Sequence, residues 1–163
     1  KTMRHLVDKN WNTGSHEKID FYNLLNLSRE YVRQGSKIFI GSDSFINQNK
    51  ICFSTALCLH GGHKGGRYFF FKDFVLKHQF TNLVSRITEE TKRSVELASL
   101  LTTEYGFNPS NIELHLDVSP FSSNNGTSKY SDMLKGYVQG FGLDYRLKPE
   151  AWASQTVADR HSK

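Results

Sequence analysis

The stretch Lys37-Ile-Phe-Ile-Gly-Ser-Asp43 decides the fold, because it is a short apolar run that ends in a carboxylate. A run of this length, rich in β-branched and aromatic residues, predicts a buried strand. A carboxylate is costly to bury without a partner, so Asp43 indicates a cation or a specific polar partner at the strand end. Further acids that reach the same place would define a metal site.

The segments around residues 37–43 alternate between helical and extended patterns. Apolar residues at three- and four-residue steps predict three helices, over residues 17–34, 80–105 and 129–139. Extended apolar runs predict four more strands, over residues 51–60, 68–75, 112–118 and 143–147. A polar turn is expected at 44–50 and a glycine-rich hairpin tip at 60–67, and Pro149 opens a final helix.

This order of elements predicts an α/β fold with a five-stranded mixed sheet flanked by helices. Three hairpin-joined antiparallel strands come first, and the fourth strand returns parallel to the first by a crossover. The length of 163 residues fits a single domain, residues 1–163, with residues 1–35 as an N-terminal helical extension. Trp11 is expected to anchor the polar start of that extension.

Charge and composition narrow the classes of partner. Lys and Arg number 21 and Asp and Glu 16, which gives a net charge of +5. This balance suits nucleic acid or another anionic partner, although an ordinary lysine-rich surface produces it as well. Cys52 and Cys58 lie too far apart in one extended run to form a disulfide. With no apolar stretch long enough for a membrane span, we expect a cytoplasmic protein with free thiols.

Asp117 ends the fourth predicted strand as Asp43 ends the first. The two strands are expected to run parallel, so both aspartates lie at the same edge of the sheet. That edge holds the carboxyl ends of the strands, where open α/β sheets bind ligands.

Two further acids are predicted to turn towards this edge. At about 100° per residue, Glu90 lies at the margin of the apolar stripe of its helix, whereas Glu89 and Glu96 point almost opposite. Asp159 follows Trp152 by seven residues, two turns along the same helix face, and so should face the sheet. Alone, Glu90 could be a solvated carboxylate and Asp159 a salt-bridge partner, but the convergence of four acids favours a metal site.

Four carboxylates at one sheet edge suit Mg²⁺ or Mn²⁺, which prefer hard oxygen ligands. Two such ions about 4 Å apart can stabilise the attacking and leaving oxygens of a phosphodiester displacement without a protein nucleophile. Asp43, on the central strand, suits the ligand that bridges the ions. Glu90, Asp117 and Asp159 would complete the predicted catalytic and metal-binding set.

The glycine-rich tip carries residues that could touch nucleic acid. His63, Lys64 and Arg67 could contact a nucleic-acid backbone, although a solvated hairpin explains them equally well. His60 and His63 lack a second pair of ligands at zinc-site spacing, so zinc is not expected. His115, in the fourth strand, is expected to be a core histidine with satisfied hydrogen bonds.

Several segments near the predicted site share one likeness. They are Ile40-Gly-Ser-Asp-Ser44, Gly65-Gly-Arg-Tyr-Phe69, Glu90-Thr-Lys-Arg-Ser-Val-Glu-Leu-Ala98, His115-Leu-Asp-Val118, Lys148-Pro-Glu-Ala-Trp-Ala153 and Ala158-Asp-Arg160. Together they resemble the ribonuclease H-like superfamily, and more closely a bacterial and phage family of ribonuclease H-like proteins. The resemblance covers roughly residues 36–163.

The resemblance implies which acids bind metal but not which reaction follows. It implies Asp43, Glu90, Asp117 and Asp159 as the ligands, with Glu96 as the rival to Glu90. The superfamily includes RNA–DNA hybrid nucleases, junction resolvases, exonucleases and integrases, and a fold does not determine an activity.

A divalent-metal-dependent nuclease, acting on RNA–DNA hybrid or structured DNA, is the function that these features predict. Whether it would be an endonuclease or an exonuclease stays open. One alternative is a nucleic-acid-binding module without catalysis, whose binding would be salt-sensitive and independent of the acids. Another is a partner-binding protein that uses the aromatic strands or the N-terminal helix.

Overall fold

The computed structural model describes residues 4–63, 65–118, 130–148 and 150–158. Its strands are β1 (Asn12–Thr13), β2 (Lys37–Asn47), β3 (Lys50–His60), β4 (Arg67–Leu76), β5 (Ile112–His115) and β6 (Asp144–Arg146). Its α-helices are α1 (Phe21–Arg33), α2 (Leu83–Thr103) and α3 (Ser131–Gln139), and a π-helical segment spans Ala153–Ala158.

The strands form one mixed sheet in the order β1-β4-β3-β2-β5-β6. β2, β3 and β4 are antiparallel neighbours, whereas β5 is parallel to β2 and β6 is parallel to β5. The five predicted strands and their directions are therefore confirmed. The sheet has a sixth strand, β1, which the sequence did not predict because two residues are too few to show a period.

β1 continues the sheet beyond β4 and ties the N-terminal segment to the core. Asn12 pairs with Phe70, and the neighbouring Trp11 is fully buried, with its ring 4.7 Å from that of Phe71. Trp11 therefore acts as the predicted anchor.

Local capping explains where the two longer helices begin. The Asp20 side chain accepts a hydrogen bond from the backbone of Asn23 and so starts α1. Asn82 and Ser85 form a reciprocal capping box, which starts α2 three residues after the predicted position 80. Gly35 and Gly106 follow the helices with φ of 97° and 75°, a conformation that favours glycine.

The β2–β3 hairpin is longer than the sequence predicts. The expected polar turn at 44–50 is wrong, because pairing continues to Asn47 and Lys50 and leaves only Gln48 and Asn49 as the turn. Gln48 takes a φ of 58°, which a two-residue hairpin turn requires. Asp43 consequently lies inside β2 rather than at its end.

Different elements cover the two faces of the sheet. α1 and α2 cover one face and bury the main core, which includes Ile38, Ile40, Leu57 and Leu59. The C-terminal segment covers part of the other face, where Ala153 and Ala158 pack with Ala56 and Cys58. The final element is thus a short π-helical segment and not the predicted α-helix, and Pro149 lies outside the described residues.

Candidate metal centre

Three acids, from β2, α2 and the segment just after β5, meet beside the C-terminal end of β5. Asp117 lies two residues beyond β5 and not at the end of a strand as predicted, because β5 ends at His115. One ligand atom from each of Asp43, Glu90 and Asp117 lies within 4.8 Å of the others. β2 and β5 pair in parallel as far as Gly41 and His115, and the same register carried two residues further aligns Asp43 with Asp117. α2 crosses this edge and supplies Glu90.

Hydrogen bonds from serine hydroxyl groups fix the position of α2 relative to β2, and so the position of Glu90 relative to Asp43. Ser94, one turn beyond Glu90, lies with its hydroxyl 2.8 Å from that of Ser42 in β2. The Ser44 hydroxyl donates a 2.5 Å hydrogen bond to Glu90 Oε2. The Arg86 guanidinium donates in turn to the hydroxyl and the carbonyl oxygen of Ser44. Glu90 is therefore fixed by strand and helix together.

The second carboxylate oxygen of Glu90 is the strongest sign that the cluster fits a cation. Glu90 is buried, and its Oε1 has no hydrogen-bond partner among the described residues. An orphaned buried carboxylate oxygen is unfavourable unless a positive group binds it. Asp117 is only partly buried, so the site opens to solvent on its side. Hard oxygen donors in this arrangement fit a divalent ion.

The pKa of Glu90 is raised well above its ordinary value. Burial is the largest cause, and the nearby charges of Asp117 and Asp43 add to it. The hydrogen bond from Ser44 and the charge of Arg86 oppose the rise but do not cancel it. A divalent ion would reverse the balance, because it stabilises all three carboxylates in their ionised form.

Lys148 is a neighbour of the acids that the sequence did not single out as a site residue. Its Nζ lies 2.9 Å from Asp117 Oδ1, and its backbone N–H donates to Val118. Lys148 comes shortly after β6, which is parallel to β5, so the chain leaves both strands at the same sheet edge. This parallel pairing is the signal that could have identified Lys148 beforehand.

Asp159, the fourth predicted ligand, lies outside the described residues. The segment before it packs on the sheet beside Asp43. Ala158 is fully buried, and a Cβ built on Gly41 would lie 2.6 Å from the carbonyl carbon of Ala153 and closer still to Ser154 N. Only glycine at position 41 lets the backbone approach this closely.

The other glutamates of α2 have different surroundings. Glu89 pairs with Arg93 at 2.8 Å. Glu96 lines a separate cavity near Lys9 and Asp73, on the helix face away from the acid cluster. Among the described residues, Glu90 and not Glu96 joins Asp43 and Asp117.

Trp152 and His115 connect the C-terminal segment to the sheet. The partly buried Trp152 ring lies 5.0 Å from His115 and 4.9 Å from Phe39. His115 is buried, its Nδ1 accepts from the backbone of Ala153 at 2.9 Å, and its Nε2 faces Glu113 at 3.3 Å. Burial is the main cause that lowers its pKa. His115 is a core residue with satisfied hydrogen bonds, as expected.

The hairpin tip predicted to touch nucleic acid lies at the opposite end of the strands. Arg67 pairs with Leu59, five residues along β3 from Ser54, the partner of Asp43, which is a separation of about 17 Å. The backbone N–H of His63 donates to Gln34, so the tip packs against the end of α1. Lys64 lies outside the described residues.

Family comparison agrees with the architecture. The chain belongs to the ribonuclease H-like family, because the family model described as Ribonuclease H-like matches residues 21–163. This range begins at α1 and includes all four predicted acids. Neither the curated proteins nor the solved structures gave a significant match. Within the described ranges, the helices are too short or too polar to cross a membrane.

Proposed function

We propose that this protein is a divalent-metal-dependent nuclease that hydrolyses phosphodiester bonds in nucleic acid. The observation that carries the proposal is the unpartnered, buried Glu90 Oε1 within a group of three carboxylates. The ribonuclease H-like family match supports nucleic acid as the substrate class. RNA–DNA hybrid and structured DNA are the substrates to test first.

In this proposal Asp43, Glu90, Asp117 and Asp159 hold the metal, which is Mg²⁺ or Mn²⁺. Two bound ions would activate water and stabilise the leaving oxygen of the phosphodiester. Ser44 orients Glu90, and Arg86 orients Ser44, so the ligand keeps its position before metal arrives.

The remaining side chains would position the substrate. Lys148 brings a positive charge to the edge of the acids, where a substrate phosphate would lie. His63, Lys64 and Arg67 are proposed to contact nucleic acid beyond the metal centre, at a distance that only an extended substrate could bridge.

The test is cleavage of labelled hybrid, duplex, junction and single-stranded substrates with Mg²⁺ or Mn²⁺. We expect activity that EDTA removes and that Asp43→Asn lowers by at least a hundredfold without changing the melting temperature by more than a few degrees. Asp132→Asn is the matched control, because Asp132 is an aspartate on the exposed surface of α3. A lack of cleavage in every combination contradicts the proposal, and salt-sensitive binding without cleavage then favours the module that only binds.

A further inference from the structure

An open groove adjoins the acid cluster on the sheet face that the C-terminal segment leaves uncovered. It has a volume of about 620 Å³. Its lining consists of Phe45, Asn47, Gln48, Asn49, Lys50, Cys52, Lys72 and Phe74. We name these residues the hairpin groove, because they come from the far end of the β2–β3 hairpin and the adjoining part of β4.

The floor and walls of the hairpin groove come from one row of the sheet. Cys52 pairs with Phe45 on one side and with Phe74 on the other, so the three side chains point to the same face. The two aromatic residues stand about 10 Å apart, two strand spacings, with the small buried Cys52 between them. Two aromatic side chains over a small floor leave an open slot between them.

Solvent reaches both walls of this slot. Phe74 is 64% exposed and Phe45 is 38% exposed, although each is a large apolar side chain. Exposed apolar side chains that lie together on one patch mark interaction sites more often than ones scattered singly. Aromatic faces of this kind bind unpaired bases by stacking.

Charge in the hairpin groove favours an anion. Lys50 and Lys72 are exposed in its lining, and the described lining residues include no acid. Asn47, Gln48 and Asn49 add amide groups that can donate to and accept from base edges. Aromatic faces with lysines and amides match a nucleic-acid strand better than an acidic peptide, which has no flat bases to stack.

The hairpin groove lies next to Asp43 on the same face of the sheet, further along β2. Asp43 precedes Phe45 by two residues, about 7 Å on the same face. Ser54 and Lys72 complete the row of Asp43, and the buried Ser54 hydroxyl has no hydrogen-bond partner among the described residues. A nucleic-acid chain with one phosphate bound at the acids would therefore place a neighbouring base at the aromatic slot.

We propose that the hairpin groove binds an unpaired base of a single-stranded nucleic acid, stacked against the exposed rings of Phe45 and Phe74, with flanking phosphates at Lys50 and Lys72. The inference rests on the proposed nuclease function and, among the substrates to be tested, favours a single strand or the single-stranded part of a structured DNA over a hybrid duplex. A base inside a duplex shows no free face to these rings, so duplex is the disfavoured ligand.

Binding is measured by fluorescence anisotropy in EDTA, so that cleavage plays no part. The probes are labelled oligo(dT) and oligo(rU) of about 12 nucleotides, within the usual range of single-strand site sizes, and a blunt duplex of equal length. We expect at least one single strand to bind five or more times more tightly than the duplex. Equal or tighter binding of the duplex overturns the proposal.

Variants identify the groove as the place of binding. Phe74→Leu and Phe45→Leu should each weaken single-strand binding about fivefold or more, because stacking on aromatic residues supplies much of the affinity. Lys72→Gln should lower the slope of log affinity against log salt by about 0.7, the value for one phosphate contact on a single strand. Phe141→Leu is the control, because Phe141 is 50% exposed but lies just after α3.

The two proposals fail in different ways. Unchanged binding by Phe74→Leu and Phe45→Leu, or equal competition by polyglutamate of matched charge, overturns the groove assignment even if the protein cleaves nucleic acid. Single-strand binding that depends on Phe74 but is never followed by cleavage upholds the groove and rejects the nuclease.

Discussion

The Ser44 hydroxyl donates a 2.5 Å hydrogen bond to Glu90 Oε2 and leaves Glu90 Oε1 buried without a partner among the described residues. In the proposed metal site this hydrogen bond would hold Glu90 in place before an ion binds. Such preorganisation costs stability in the metal-free protein, because a buried carboxylate is kept close to two other acids.

Glu90→Gln is therefore expected to stabilise the metal-free protein and to remove cation binding. The substitution keeps the shape and removes a carboxyl group whose ionisation is opposed by burial and by the two other acids, so we expect a gain in stability at neutral pH. Since the pKa of Glu90 is raised in the folded state, the native protein binds more protons than the unfolded chain above about pH 4, and its stability falls as pH rises. The advantage of Glu90→Gln should grow over that range in urea unfolding with EDTA.

Glu96→Gln is the control on the same helix, and it should show no such pH-dependent gain. Calorimetry with Mn²⁺ should detect binding to the wild-type protein and to Glu96→Gln but not to Glu90→Gln. A less stable Glu90→Gln at every pH would show that Glu90 is a structural residue and not a strained ligand.

Gly41→Ala should disturb the C-terminal segment. The added methyl group would enter the backbone at Ala153 and Ser154, and overpacking of this kind costs about 1–3 kcal/mol. Because this segment leads to Asp159, we expect weaker metal binding as well as lower stability in urea. Gly65→Ala is the matched control, since a Cβ at Gly65 meets nothing within 4 Å. Equal stability of the two variants would contradict the close approach.

The loss of folding stability at acidic pH should depend in part on Asp73. Asp73 bonds to Lys9 at 2.7 Å and to Arg93 at 2.6 Å, and so links the N-terminal segment to α2. Burial on its own raises the pKa of Asp73, but the hydrogen bonds from Lys9 and Arg93 outweigh it and lower the pKa. A lowered pKa stabilises the fold above the unfolded value of about 4, and the contribution is lost as pH falls through the folded value.

Asp73→Asn should thus cost about 1 kcal/mol at pH 7, after allowance for solvent screening. The difference from wild type should shrink below about pH 4 in thermal unfolding at a series of pH values. Asp144→Asn serves as the comparison, because Asp144 is exposed in β6. A constant difference from pH 7 to pH 2 would show that the effect comes from packing and not from charge.

The sequence predicted which secondary-structure elements position the three acids, because these elements follow from local sequence patterns. The apolar runs of the strands, their predicted directions and the helical phase of α2 were sufficient to bring Asp43, Glu90 and Asp117 together. The helical phase survives in the structure because α2 buries one face, whereas the continuous apolar runs of β3 and β5 are buried on both faces. The resemblance left Glu96 as a rival to Glu90, whereas the helix phase predicted Glu90. In the structure Glu90 lies beside Asp43 and Asp117.

Local sequence patterns could not predict contacts between residues that are distant in the sequence. No local period relates Asp73 to Lys9 or Arg93, and only the structure shows that Asp73 pairs with both. The extent of the β2–β3 hairpin was missed because its polar residues resemble a turn. The pairing of Phe45 with Cys52 depends on that extent, so the hairpin groove is visible only in the structure.

Lys148 should compete with the cation at Asp117 and yet assist the substrate. Its ammonium group lies 2.9 Å from Asp117 Oδ1, so it repels a divalent ion and must move or share the carboxylate when metal binds. A repulsion of about 1 kcal/mol corresponds to about fivefold in affinity, so Lys148→Gln should bind Mn²⁺ a few times more tightly in calorimetry. Cleavage should nevertheless fall, because a phosphate contact is lost. Lys135→Gln is the control, since Lys135 pairs with Asp132 at 3.2 Å on the surface of α3. Weaker metal binding by Lys148→Gln would mean that Lys148 orders Asp117 for the ion, and the competition argued here would be wrong.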